Sequence, residues 1–392
     1  MAAQPWELSD IFDAAAGAAI LGSGGGGGYQ DALLILEQLG LDPNWSGTVT
    51  LNDYDGSTAC SVIFMMGSPD AAGQMSLAEL SACIGNALAV QTSTCGFTPG
   101  CAIPIETGPI NSLVPVIAAA LNLGGVGWVV DGDGAGRAVP ELPQTTFAGA
   151  VGLPVSPCVV ADNAVIASQV QSGVLATTTT PKAESLAGAV VSAFGSFAGV
   201  SMWPSSAANG YALSGQYIAG TLEQCRALGN CLRTQTPDTA AVAAQITTLT
   251  GRSASAVVTN YYITQVTEAT SAASLDAGVI RLDTDPNPAK STNTVFLYNM
   301  NENLIAYSSN QATPLIIAPD SICYYSEDEV AGFSNATPDL AVYYDFSTNQ
   351  STGKKVSLIQ VTAAAQLVAT PGVLQSFATL LRSIGYAGAL PA

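Results

Sequence analysis

The chain has 392 residues, enough for more than one hydrophobic core, and only 10% of them are charged, against about a quarter in an ordinary soluble protein. Ten Lys and Arg against 29 Asp and Glu leave a formal charge of −19, which argues against nucleic acid and anionic membrane surfaces as partners, since both are gripped by clustered cations. There is no histidine, so acid–base work and metal ligation fall to carboxylate, Cys, Tyr, Lys or backbone groups, and no unbroken apolar run of about 18 residues offers a transmembrane helix.

Leu8, Ile11, Phe12, Ala15, Ala18, Ala19 and Leu21 recur at helical spacing. They predict a first helix over 8–21, capped by Ser9 and ended by the glycines from Gly24. A helix over 29–39, strands at 49–51 and 61–65, a helix over 77–90, a strand at 102–105, a helix over 112–121 and a strand running into Asp131 follow. This alternation predicts a three-layer α/β domain on a mostly parallel sheet. Helices predicted over 182–197, 214–228 and 238–248 close it. After Gly251 short β-branched or aromatic runs at 257–264, 279–282, 295–298, 315–317, 322–325, 340–344 and 356–359 predict a second domain, a β-barrel or β-sandwich. The expected division is 1–252 for the α/β domain and 253–366 for the β domain. A C-terminal helix near 373–382, within 367–392, packs back on the former.

The run from Val129 to Glu141 concentrates three carboxylates and a guanidinium in a charge-poor chain. An apolar strand ending in a Gly-rich acidic turn delivers polar groups to the mouth where open α/β sheets bind ligands. Asp131, Asp133, Arg137 and Glu141 are therefore the candidate catalytic residues. The three acids, Asp131, Asp133 and Glu141, are also the candidate ligands of a hard divalent metal, because oxygen-only ligation favours magnesium, calcium or manganese. A second reading stays open, in which the two aspartates shape the turn and Arg137 pairs with Glu141.

Gly24, Gly25, Gly26 and Gly27, between Ser23 and a predicted helix, are suited to present backbone N–H groups to an anionic or carbonyl oxygen. They serve equally well as a tight crossing of backbones. The segment lacks the Gly-Lys-Ser/Thr ending of a phosphate loop and follows a helix rather than a strand, so no nucleotide cofactor is expected. Glu106 and Asn111 follow a strand expected near that of Asp131 and join the substrate-binding candidates, with Asn111 equally suited to cap the next helix. Asn301, Glu302 and Asn303 form either the second wall of a pocket or a polar hairpin turn. Among the eight cysteines, Cys95/Cys101 and Cys225/Cys231 are each six apart. That spacing suits a small disulfide loop, the other reading being buried thiols.

Several of these segments carry a family likeness. Pro104-Ile105-Glu106-Thr107-Gly108-Pro109-Ile110-Asn111-Ser112, the run Asp131-Gly132-Asp133-Gly134-Ala135-Gly136-Arg137, the opening Gly22-Ser23-Gly24-Gly25-Gly26-Gly27, Met66-Gly67-Ser68-Pro69 and Asn301-Glu302-Asn303 together resemble the S-methyl-thiohydantoin desulfurase family, whose members accompany hydantoinase and oxoprolinase genes. The chain departs from the family at Gly28-Tyr29, where an acidic residue and proline are usual, and at Pro109-Ile110, where glycines are usual. The resemblance implies an α/β domain with a separate β-barrel and a cytoplasmic location. It also implies hydrolytic loss of a substituent from a small hydantoin-like cyclic amide.

Asp131 or Glu141 would then act as base, Arg137 would hold a carboxylate or imide oxygen, and the glycine loop would supply oxyanion donors. Composition supports a different expectation, a self-assembling structural protein, either homo-oligomer or filament. Low charge and a mean hydropathy of +0.35 suit extensive subunit burial, and an extracellular assembly fits the same composition. A third reading is a non-catalytic ligand-binding partner of a hydantoinase. The N-terminus shows no signal-peptide pattern.

Overall fold

In a computed structural model of the chain, the structure describes residues 4–67, 75–270 and 276–390. Strand β1 (Gln4–Trp6) leads into helix α1 (Leu8–Leu21). Ser9 lies inside the first turn of α1 and does not cap it. The helix starts after Glu7, whose amide donates to Asp10 Oδ2 at 3.0 Å. Beyond the glycine turn come α2 (Tyr29–Leu41), β2 (Val49–Asn52), β3 (Cys60–Gly67), α3 (Leu77–Cys95), β4 (Cys101–Pro104), α4 (Leu113–Ala120) and β5 (Trp128–Val130). A short β6 (Gly132–Asp133), β7 (Cys158–Ala161) and β8 (Ser172–Leu175) precede α5 (Thr180–Ala193) and β9 (Phe197–Ser205). Then follow β10 (Ile218–Ala219), α6 (Thr221–Gln235) and α7 (Thr239–Thr250).

Eight strands form one sheet in the order β1-β2-β5-β4-β3-β9-β7-β8. The block β2-β5-β4-β3 is parallel, and β1, β9, β7 and β8 extend it antiparallel. Residues 60–65 and 101–104 are all buried, as a sheet covered on both faces requires. Helices α1 to α4 cover one face, setting Leu36, Leu80, Leu88 and Ile117 against Ile63, Ala102 and Val129. The other face carries α5, with Ala183, Ala187 and Val191 packed among Val62, Ile103 and Val130. Helices α1 and α6 cross with backbones nearly touching. A Cβ on Gly17 would overlap Cys225 O, and one on Gly229 would overlap Asp13 O.

The second sheet uses β11 (Ala254–Thr270), β12 (Asp276–Asp283), β13 (Thr294–Met300), β14 (Glu302–Ser308), β15 (Ile316–Ile317), β16 (Ser321–Tyr325) and, after a hairpin of β17 (Tyr344–Asp345) and β18 (Gln350–Ser351), β19 (Lys355–Val361). Its order, β15-β14-β13-β12-β11-β19-β16, is antiparallel throughout, and β14 packs beside β16 to make a nearly closed barrel. Tyr324, Phe333 and Tyr343 stack in its core at centroid spacings of 4.3 and 4.2 Å. Helices α8 (Thr337–Leu340), α9 (Ala365–Ala369) and α10 (Val373–Ser383) complete the chain. Phe377 and Leu381 of α10 share one cluster with Val139 of the first sheet's loops and with Leu304 and Ala318 of the barrel.

Several elements differ from expectation, each for a local reason. The helix expected over 182–197 ends at Ala193, because Gly195 and Ser196 take φ of 92° and 72°. Phe197 then begins β9, which lies between β3 and β7. The helix expected over 214–228 starts only at Thr221, after Gly220 at φ 80°. The run 340–344 is no strand. Pro338 sits at the start of α8, and only Tyr344–Asp345 pairs, with β18. All eight cysteines are free, so neither six-residue loop is closed.

Candidate active site

Parallel strands β3 and β4 deliver their C-terminal ends to one crevice, through Met65, Met66 and Gly67 on β3 and Ile105 and Glu106 just past β4. Pro140 to Leu142 form a second wall and the Glu184, Gly188 and Val191 face of α5 a third. Gly26, Gly27 and the β13–β14 hairpin residues Asn301 and Glu302 complete it. The walls enclose about 790 Å³, part of it open to solvent. Of Met66-Gly67-Ser68-Pro69, the last two lie outside the described residues.

Glu106 is buried at the centre. Its Oε1 accepts from Asn111 Nδ2 at 2.7 Å and its Oε2 from the Val139 amide at 2.7 Å. Asn111 Oδ1 in turn accepts from the Met65 amide at 2.9 Å. Asn111 therefore ties the end of β3 to Glu106 and caps no helix. Burial above all pushes the Glu106 carboxyl up to about 7, opposed by the Val139 amide and the Asn111 side chain.

Glu302 is 3% exposed, and among the described residues its Oε2 has no hydrogen-bond partner. Burial, and next the charge of Glu106, hold its carboxyl well above the usual range, while Arg137 and the Gly26 amide pull the other way. A Cβ on Gly25 would overlap Glu302 Oε1, so glycine is what lets that carboxyl lie against the loop. Two further acids reach the crevice. Glu184 Oε2 accepts from the Leu142 amide at 2.8 Å and is raised by burial to about 7. Glu141 Oε2 accepts from Ser376 Oγ at 3.2 Å and is also raised by burial.

Three of the four residues expected to be catalytic lie elsewhere. Asp131 follows Val129 by two and shares its face of the sheet, where the cluster includes Leu222 of α6. Its Oδ1 accepts the Leu222 and Glu223 amides at 3.0 and 3.2 Å in the first turn of α6, and burial raises it to about 6. It lines a separate small pocket with Asn52, Asp53 and Glu223. Asp133 is spent on the Ala135 and Gly136 amides (2.7 and 2.6 Å) and on Thr107 Oγ1 (2.5 Å).

Arg137 is fully buried and donates only to backbone carbonyls, those of Ala138, Asn303, Pro319 and Asp320. It fastens the turn to the barrel and makes no pair with Glu141. Asp131, Asp133 and Glu141 do not converge as a metal-ligand trio. Among the described residues no group of three or more Cys, Asp or Glu is placed to hold a metal.

The glycine loop also differs from an oxyanion hole. The first two amides of α2, Tyr29 and Gln30, donate to Asp339 at 2.9 Å each, so the chain's own carboxylate occupies that helix end. Gly24 packs on Asn303 and its carbonyl accepts from the Asn335 amide, leaving only Gly26 and Gly27 on the crevice. Glu184 was not among the sequence candidates. Its signal is faint, a single acid on the α5 face that carries Ala187, Gly188 and Val191.

Fold and site thus define an α/β protein with a barrel beside it and an acid-lined crevice where the two sheets meet. The profile of the S-Me-THD-like N-terminal domain matches residues 9–171 and that of the C-terminal domain residues 178–376, so the chain belongs to the S-Me-THD-like family. The boundary between the two matches falls at β8, within the large sheet, and the second part supplies β9 to it. An X-ray crystal structure of a protein from Chromobacterium violaceum is similar over 99% of each chain, with 26% identity and a TM-score of 0.80. No curated protein matches. Among the described residues no helix is long and apolar enough to cross a membrane.

Proposed function

We propose that the chain is a hydrolase acting on a small, neutral cyclic amide, with an S-methyl-thiohydantoin ring as the leading substrate. One observation carries this reading: two buried, mutually repelling carboxyls, Glu106 and Glu302, face a single crevice. Like charges held together in a dry site push their two protonation steps apart, leaving one acid and one base near neutrality. Ionised Glu106 takes a proton from water as the water oxygen bonds to the ring carbon bearing sulfur. Glu302 gives its proton to sulfur as the carbon–sulfur bond breaks. Methanethiol leaves, the remaining hydroxyl proton moves to the ring nitrogen, and Glu106 returns its proton to Glu302. Among the described residues the crevice presents four carboxyls and no cation, which favours a substrate rich in N–H donors over an anionic one. The test is methanethiol release from S-methyl-thiohydantoin by the full chain, with the hydantoin product followed by NMR. No release above the buffer rate would sink the reading.

A second reading, self-association, is favoured by one place on the surface. Strand β8 is a sheet edge within residues 163–181, which contain no charged side chain, and Val165, Ile166 and Val174 there are 69%, 57% and 49% exposed. An uncharged apolar edge is where two acidic copies approach at least electrostatic cost. Sedimentation should show association that strengthens with salt and is lost in Val174→Lys.

A further inference from the structure

A second cavity, about 750 Å³ and open to solvent, shares no lining residue with the acidic crevice. Its polar wall includes Thr107, Thr221, Gln224 and Arg252, and its apolar wall Leu21, Ile218 and Ala364. Gly251, in the left-handed region at φ 68°, ends α7 and turns the chain so that Arg252 follows at the cavity wall. Arg252 Nη1 donates to Gly136 O at 2.9 Å. The Nε is buried without a partner, and among the described residues Arg252 makes no ion pair and Nη2 finds no acceptor. Thr221, 4% exposed, sets its hydroxyl on the Asp133 carboxylate.

An unsatisfied buried guanidinium donor on a cavity wall calls for an acceptor. The nearby acids do not supply it. Asp133 is engaged by Thr107, Ala135, Gly136 and Thr221, and Asp320 accepts from Gln360 Nε2 and the Ala363 amide at 2.8 Å each. Burial lowers the Arg252 pKa, yet a guanidinium stays charged near neutrality. What remains open is the Nε–Nη2 edge, the fork that matches the two oxygens of a carboxylate. With one cation, acids close by and an apolar far wall, the chemistry favours a monoanion with a short hydrocarbon part over a phosphate dianion.

We propose that this cavity binds a small monocarboxylate, its oxygens on the Nε–Nη2 edge of Arg252 and its tail against Leu21, Ile218 and Ala364. The site is independent of the hydrolase reading. The probe is propionate, titrated calorimetrically into the full chain, with inorganic phosphate and chloride as comparisons. Saturable one-site binding is expected in wild type and unchanged in Glu106→Gln. Affinity should fall at least tenfold in Arg252→Gln. Lack of saturable propionate binding in wild type, tighter binding of phosphate or chloride, or equal affinity in Arg252→Gln and wild type would overturn the proposal.

Discussion

The acidic turn at 131–137 and the acidic crevice at Glu106 and Glu302 have similar chemistry and opposite fates. In the turn every ionic group is spent on backbone or a hydroxyl: Asp131 on two amides, Asp133 on two amides and Thr107, Arg137 on four carbonyls. In the crevice Glu302 keeps an oxygen with no partner, beside a second carboxyl that raises its pKa. A buried charge that the chain itself satisfies holds structure together. A buried polar group left unsatisfied is available to a ligand. The number of charges in a segment does not separate the two cases, whereas the count of internal partners does.

The largest effect that would sharpen this contrast is on rate. Glu106→Gln and Glu302→Gln should each lower the kcat for methanethiol release by about 10²- to 10⁴-fold, the usual range for a positioned acid or base. Glu302→Gln should leave stability unchanged or raised, since it removes an ionisable group from a dry site. Equal rates in either variant and wild type would move the chemistry elsewhere. Next comes Arg137→Met, which strands four buried carbonyls. At about 1–3 kcal/mol for each group left unsatisfied, less whatever relaxation recovers, a loss on the order of 4 kcal/mol is expected. Urea unfolding measures it, and a loss below about 1 kcal/mol would break the assignment of Arg137 as a clamp.

How far the sequence carries to this point depends on how local the information is. The alternation of strand and helix up to Asp131 and the β-rich rhythm after Gly251 come from side-chain periodicity within short windows, and both appear in the fold. Strand β9 is hidden in the sequence because Phe-Ala-Gly-Val-Ser-Met-Trp-Pro-Ser lacks a clean alternation and directly extends a helical run. Strand β14 was missed for a similar reason, its first residues looking like a polar turn. Glu106, Asn111, Glu141 and Glu302 were legible as charged or amide residues at element ends. Asp131 reads as catalytic because the donors to its carboxylate, the Leu222 and Glu223 amides, lie some ninety residues on. The Asp339 carboxylate that fills the α2 terminus is more than three hundred residues from it. No local pattern carries such a pairing.

A smaller effect separates the structural acid from the site acids. Asp131→Asn keeps an acceptor for the two α6 amides but removes its charge from the positive end of the helix. Because burial already holds that carboxyl up at about 6, losing its charge costs nothing net near neutrality, so stability should be unchanged or raised and methanethiol release unaltered. A rate loss comparable to that of Glu106→Gln would return Asp131 to the site and erase the comparison.

The smallest expected effect lies in the pH dependence of stability. Glu106 has an ordinary value of 4.5 and a folded value of about 7, with burial the main cause. Below 4.5 it is protonated both folded and unfolded, and its contribution to stability is fully present. As pH rises from 4.5 to 7 the unfolded chain releases the proton first, the folded chain binds more protons, and stability falls across that window. Glutamine at this position carries no proton in either state, so the variant lacks this part of the slope. The unfolding free energy of Glu106→Gln relative to wild type should therefore rise by about 1 kcal/mol between pH 5 and pH 8. That is less than the full shift implies at about 1.4 kcal/mol per pKa unit, because Glu302 and the crevice walls relax when Glu106 ionises. Paired urea titrations at the two pH values measure the difference. A relative stability that stays flat, or falls with pH, would mean that Glu106 is ionised in the folded chain well below neutrality. The crevice would then be a satisfied site like the turn, and the acid–base reading would be left with only a weak base.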